Sequence, residues 1–208
     1  MKVDFIVDKE RFEKERIKKN KIFQADLLLP DNMFKRGFDD FLFFESIFLY
    51  HEDFFEGMIE FIKKLGNNSF TFYTVSPNPE SYFYYYFKKY SVAVIPITAT
   101  SDEYQEFIHR DPGDSPADSM FSNGETVVLF SETPEWGIVA SKDWEIGIVG
   151  FKTKKVREFF IESFKEDVGS DKMFDTLDSY IQQFDSMFHM TEEAKKRWYN
   201  LRKNYLGY

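Results

Sequence analysis

Apolar residues recur three and four apart most clearly between His51 and Leu65, at Phe54, Phe55, Met58, Phe61, Ile62 and Leu65. That spacing predicts an amphipathic helix turned towards a core, with Gly66 as its C-terminal stop. Residues 69–75 (SFTFYTV) alternate and are β-branched or aromatic, which predicts a strand. Residues 92–97 (VAVIPI) predict a second strand, which Pro96 consigns to an edge or a bulge because it lacks an N–H for the ladder. Three more strands are expected in quick succession, at 126–130, 136–140 and 144–151, the last two joined as an antiparallel hairpin by Ser141, Lys142 and Asp143. The stretch GFDDFLFFESIFLY is compatible with a buried strand or a helix, because periodicity alone does not separate short apolar runs.

Helical spacing also appears at 8–21, where acids and bases interleave around Phe12 and Ile17 as a solvated face. Further helices are expected at 80–90, at 102–109 (capped by Ser101 or Asp102), at 153–164, at 172–187 and at 192–204, the last opened by Thr191. The fold class is therefore α+β: a mostly antiparallel central sheet of about five strands, flanking helices and a helical C-terminal third. Residues 1–167 are expected to form the sheet domain with its N-terminal helical segment, and 168–208 a helical extension packed on it. At 208 residues the chain is long enough to bury a core without disulfide or metal, and it contains no cysteine. No apolar run reaches the roughly 18 residues of a membrane span, and the first residues lack a signal-peptide core, so a cytoplasmic location is expected. The 26 Phe follow the drift of an AT-rich coding sequence and supply large rings for packing.

Charge changes this picture. The net charge of −9 resides in residues 101–145, where eleven acids face only Arg110 and Lys142. Such a field repels nucleic acid and favours a basic protein partner, although an acidic surface also serves simply to solvate a chain. Residues 111–124 (DPGDSPADSMFSNG) form a loop long enough to be functional or mobile. Candidate partner-binding residues are Asp111, Asp114, Asp118, Glu132, Glu135, Trp136, Asp143 and Trp144. Tryptophan is enriched where proteins grip one another, and it equally caps the end of a sheet core.

Motifs for chemistry are weak. His51, His109 and His189 are scattered, His109-Arg110-Asp111 lacks every companion of a kinase loop, and Gly147 to Gly150 lies within a strand rather than before a helix. No catalytic residue, metal site or cofactor is expected. The segment SETPEWGIVASKDWEIGIVGF at 131–151 resembles the terminal hairpin of small bacterial cytosolic α+β proteins, some of them immunity proteins of toxin systems. The resemblance implies a protein that neutralises a basic partner such as a toxin. Two alternatives stand beside it: a metal-assisted hydrolase built from dispersed carboxylates and a histidine, motivated by His109 beside the acidic loop, and an assembly subunit using the aromatic segments 38–50 and 82–87.

Overall fold

The computed structural model describes residues 3–113, 117–164 and 173–207. Six strands form one sheet: β1 (Asp40–Glu45), β2 (Ser69–Ser76), β3 (Val92–Pro96), β4 (Thr126–Phe130), β5 (Trp136–Ser141) and β6 (Ile146–Phe151). Their order is β1-β6-β5-β4-β2-β3, and every neighbouring pair is antiparallel. The strand beyond the expected five is β1. The ambiguous Phe-rich stretch divides at Glu45 into this strand, registered from Asp40↔Phe151 to Glu45↔Ile146, and a 3-10 turn at Ser46–Tyr50. The α+β class stands, and Pro96 closes β3 at the sheet edge, where its missing N–H removes no ladder bond.

Helices cover both faces. On one face lie α2 (Glu52–Lys64), α4 (Ser101–His109), the single turn α5 (Met120–Asn123) and α6 (Lys154–Ser163). They bury Phe54, Phe61, Phe107 and Phe160 against Phe72, Leu129 and Ile138. On the other face lie α1 (Lys9–Ile22), α7 (Leu177–Phe188) and α8 (Glu192–Leu206), which bury Phe12, Leu177, Trp198 and Leu201 against Tyr73, Val139 and Ile146. Each fully buried large side chain contributes on the order of 1.5–3 kcal/mol. Because both faces are covered, every residue of β4, β5 and β6 is buried, and these strands read as continuous apolar runs rather than alternating ones. Two glycines of β6 make this close packing possible. A Cβ at Gly147 would stand 2.2 Å from the Phe44 ring on one face, and one at Gly150 would stand 2.7 Å from Phe34 on the other.

Local signals place the helix ends. Lys63 and Lys64 occupy the last turn of α2, favourable to its dipole, and Gly66 follows at φ +69°. The cap of α4 is Thr100, one residue before the expected Ser101, because Thr100 and Glu103 form a reciprocal capping box. On α1, Glu10–Lys14 and Glu13–Arg16 pair as the interleaved charges imply, but Ile17 is exposed and Ile22 is buried beside Phe12. The aromatic segment expected as one helix is instead a π-helical turn at Pro79–Tyr84 followed by the single turn α3 (Tyr85–Phe87). The final strand begins at Ile146 rather than at residue 144, because Glu145 at φ +53° completes the turn from β5. In the C-terminal region, Phe43 and Asp175 exchange backbone hydrogen bonds of 3.0 and 2.8 Å, and α7 and α8 share one apolar cluster with the sheet. The boundary expected at 167/168 lies outside the described residues. No described helix is long and apolar enough to cross a membrane.

Candidate functional site

Strand register separates the predicted acidic residues. The β4–β5 turn carries Glu132 and Glu135 at the end of the sheet where Trp136 faces Phe151. The β5–β6 turn carries Asp143 and Trp144 at the opposite end, where Ser141 faces Ile146, and the 111–124 loop enters β4 at that same end. Asp114 lies outside the described residues. Glu132 pairs with Lys18 of α1 at 3.3 Å, and Asp143 pairs with Arg197 of α8 at 2.5 Å. The run of −9 in the sequence is thus divided in space and partly neutralised by helices from elsewhere in the chain.

The two tryptophans differ as sharply. Trp136 is 0% exposed, edge-on to Phe61 at 5.1 Å, and donates its Nε1–H to Ser131 Oγ at 3.0 Å. Trp136 is therefore part of the core on the α2 and α6 face of the sheet. Trp144 is buried under α8, edge-on to Trp198, with the Arg197 guanidinium 3.9 Å from its ring centroid. Asp111 and Asp118 organise their own loop. Asp111 accepts from the Gly113 and Asp118 amides, and Asp118 Oδ1 accepts from Tyr82 Oη at 2.8 Å and Asn123 Nδ2 at 3.0 Å. The bond to Asp118 raises the Tyr82 phenol above its ordinary pKa.

Beside this loop lies a cleft of about 640 Å³, between the 3-10 turn, α5, the β5–β6 turn and α7. Ile47, Tyr50, Phe121, Phe184 and Met187 give it an apolar lining, and Glu45, Glu145 and Gln183 bring polar groups to it. The Glu145 carbonyl joins the elements, accepting from Ser46 N at 3.1 Å and from Tyr180 Oη at 2.8 Å. Lys142 is the cleft's cation. Its Nζ lies 5.2 Å from the Tyr50 ring centroid and 5.4 Å from that of Phe121, and it donates to the Phe121 carbonyl oxygen. Burial lowers the Lys142 pKa, with the Glu125 carboxylate acting in the opposite direction. Burial raises the Tyr180 phenol, and the Glu45 and Glu145 carboxylates push it the same way. Among the described residues, neither Glu45 nor Glu145 is held in an ion pair.

The connection from β2 to β3 reaches the same end of the sheet and exposes Tyr84, Tyr85 and Tyr86, the last two at 66% and 62%. Asn78 caps the start of this segment by accepting from the Glu80 and Ser81 amides, and the fully buried Phe83 anchors it. Tyr82 and Tyr85 meet the Tyr86 ring at 5.2 and 4.9 Å. The segment and the acidic loop are fastened together by Lys89 Nζ donating to the Pro112 carbonyl at 2.7 Å and by Tyr82 on Asp118. Of the aromatic stretch 38–50, Phe43, Phe44 and Leu49 are core and Ile47 is exposed.

His109 packs on Phe121 at 4.7 Å, and among the described residues no three His, Asp or Glu side chains converge to hold a metal. Compared with models of protein families, with curated proteins and with solved structures, the chain matches none. Sequence reasoning missed Glu45, Lys142, Glu145 and Tyr180 as a group. Its one available signal was Glu45, a lone charge interrupting an apolar run and therefore a candidate strand end.

Proposed function

We propose that this chain is a cytoplasmic binding protein that neutralises a basic protein partner, in the manner of a toxin-system immunity protein. The observation that carries the reading is co-location: exposed tyrosines 84–86, the Asp111–Asp118 loop and the Glu45 and Glu145 carboxylates share one end of the sheet. Tyrosine provides large contact area at little conformational cost, and unpaired carboxylates speed encounter with a cationic surface. Glu132, Glu135 and Trp136 are left out of this contact surface by the sheet's length.

The test is affinity capture from lysate of the encoding organism, at low salt and at about 0.5 M salt, where exposed charges are screened within a few ångströms. Wild-type chain is compared with Tyr85→Ala/Tyr86→Ala and with Glu45→Lys/Glu145→Lys. One basic protein held at low salt, weakened at high salt and lost by both variants supports the reading. Equal retention by wild type and variants removes this end as the contact surface, and retention of no basic protein ends the proposal.

A further inference from the structure

We infer that the cleft beside α7 receives an amphipathic basic segment of the partner, with an apolar side chain on its lining and a lysine or arginine drawn to Glu45 and Glu145. This inference rests on the protein-capture reading and specifies its central contact. Three features of the cleft select that occupant. A volume of about 640 Å³ exceeds one side chain and suits a short stretch of two or three. Ile47 and Met187, 43% and 62% exposed, offer apolar surface that water covers poorly, and Met adapts its shape to what it meets. Two of the three charged residues that line it are acids, and neither Glu45 nor Glu145 is held in an ion pair among the described residues, the third being Lys142.

The resident cation does not cancel those carboxylates. Lys142 is directed inward, its ammonium on the Tyr50 and Phe121 rings and the Phe121 carbonyl oxygen, and Glu125 is the carboxylate whose field it feels. An anionic ligand would meet Glu45 and Glu145 and would have to draw Lys142 out of its aromatic contacts. A cationic segment meets opposite charge at the rim and apolar surface below it, so both parts of an amphipathic side chain are satisfied. Lys142 then acts against the occupant by like-charge repulsion, and that gives the inference a sign that can be read.

The probe is a 14-residue synthetic helix with leucines along one face and lysines on the other, titrated into the full chain. Two control peptides carry glutamate for every lysine, or serine for every leucine. Affinity is read by calorimetry and location by the methyl signal of Met187. The lysine–leucine peptide is expected to shift that signal, and both controls to bind at least tenfold more weakly. Glu45→Gln/Glu145→Gln should weaken binding by about threefold to tenfold, the range for two exposed charge pairs. Lys142→Met, which keeps the stem and removes the charge, should tighten it severalfold. An unmoved Met187 signal, equal binding of the glutamate peptide, or unchanged affinity in the glutamine variant overturns the inference. Failure of the two readings is separable: capture of a basic partner with no peptide in the cleft removes this contact alone, and peptide binding with no partner captured removes the neutralising role alone.

Discussion

The two ends of the sheet are joined by the same β5–β6 hairpin and differ in how completely their side chains are packed and paired. At the β4–β5 end, Trp136, Phe61, Phe151 and Phe160 close the core with rings meeting at 5.1 to 5.4 Å. Asn67 and Thr133 hydrogen-bond across that end, and Lys152 N donates to the Glu135 carbonyl at 2.9 Å. At the β5–β6 end the core is left open beside α7, tyrosines face water, and two carboxylates stand without ion pairs among the described residues. Each end has a tryptophan next to an acid, Glu135-Trp136 and Asp143-Trp144, and only the surroundings distinguish them. Packed and hydrogen-bonded groups concentrate stability at the first end, and the proposed function draws on the exposed groups at the second.

The comparison is most severely tested at the closed end. Trp136→Ala removes the largest fully buried side chain together with its hydrogen bond to Ser131, and should cost about 3–5 kcal/mol. Urea titration should show a lower midpoint with an unchanged slope, and a loss below about 1 kcal/mol would mean that this end is not the structural anchor. A smaller effect is expected at the turn of the open end. Arg197→Ala removes the cation 3.9 Å from the Trp144 ring and the partner of Asp143, and should cost about 0.5–1 kcal/mol because both contacts are partly exposed. A loss of several kcal/mol in the same titration would make this turn as structural as the other.

How much of this was legible in the sequence depends on the length scale of each signal. The α2 helix, the final hairpin and the edge position of Pro96 follow from patterns within a dozen residues, and the structure reproduces them. Strand β1 was not separable from a helix, because burial on both faces removes the alternation that marks a strand. The acidic segment was legible as composition but not as a surface. An antiparallel chain reverses at every turn, so Glu135 and Asp143, eight positions apart, finish at opposite ends. The cleft was hidden for a related reason: Tyr180 reaches the Glu145 carbonyl across 35 residues, and Tyr104 reaches the Leu49 carbonyl across 55. No window of sequence contains such a contact.

The smallest expected effect discriminates best between the two ends. Tyr85 and Tyr86 are two-thirds exposed, and their closest described aromatic contacts are with one another and with Tyr82. Were they part of the core, replacing both by alanine would cost several kcal/mol, as at Trp136. Lying in water with the buried Phe83 as the anchor of their segment, they should cost less than about 0.5 kcal/mol together, within the range of surface substitutions. The thermal midpoint of Tyr85→Ala/Tyr86→Ala should therefore stay within about 2 °C of wild type, a domain of this size shifting roughly 2–4 °C per kcal/mol. A chain that keeps its midpoint but loses its captured partner assigns the tyrosines to recognition. A midpoint lowered by 5 °C or more would show that they support the fold, and the open end would then be less distinct from the closed one than its exposure implies.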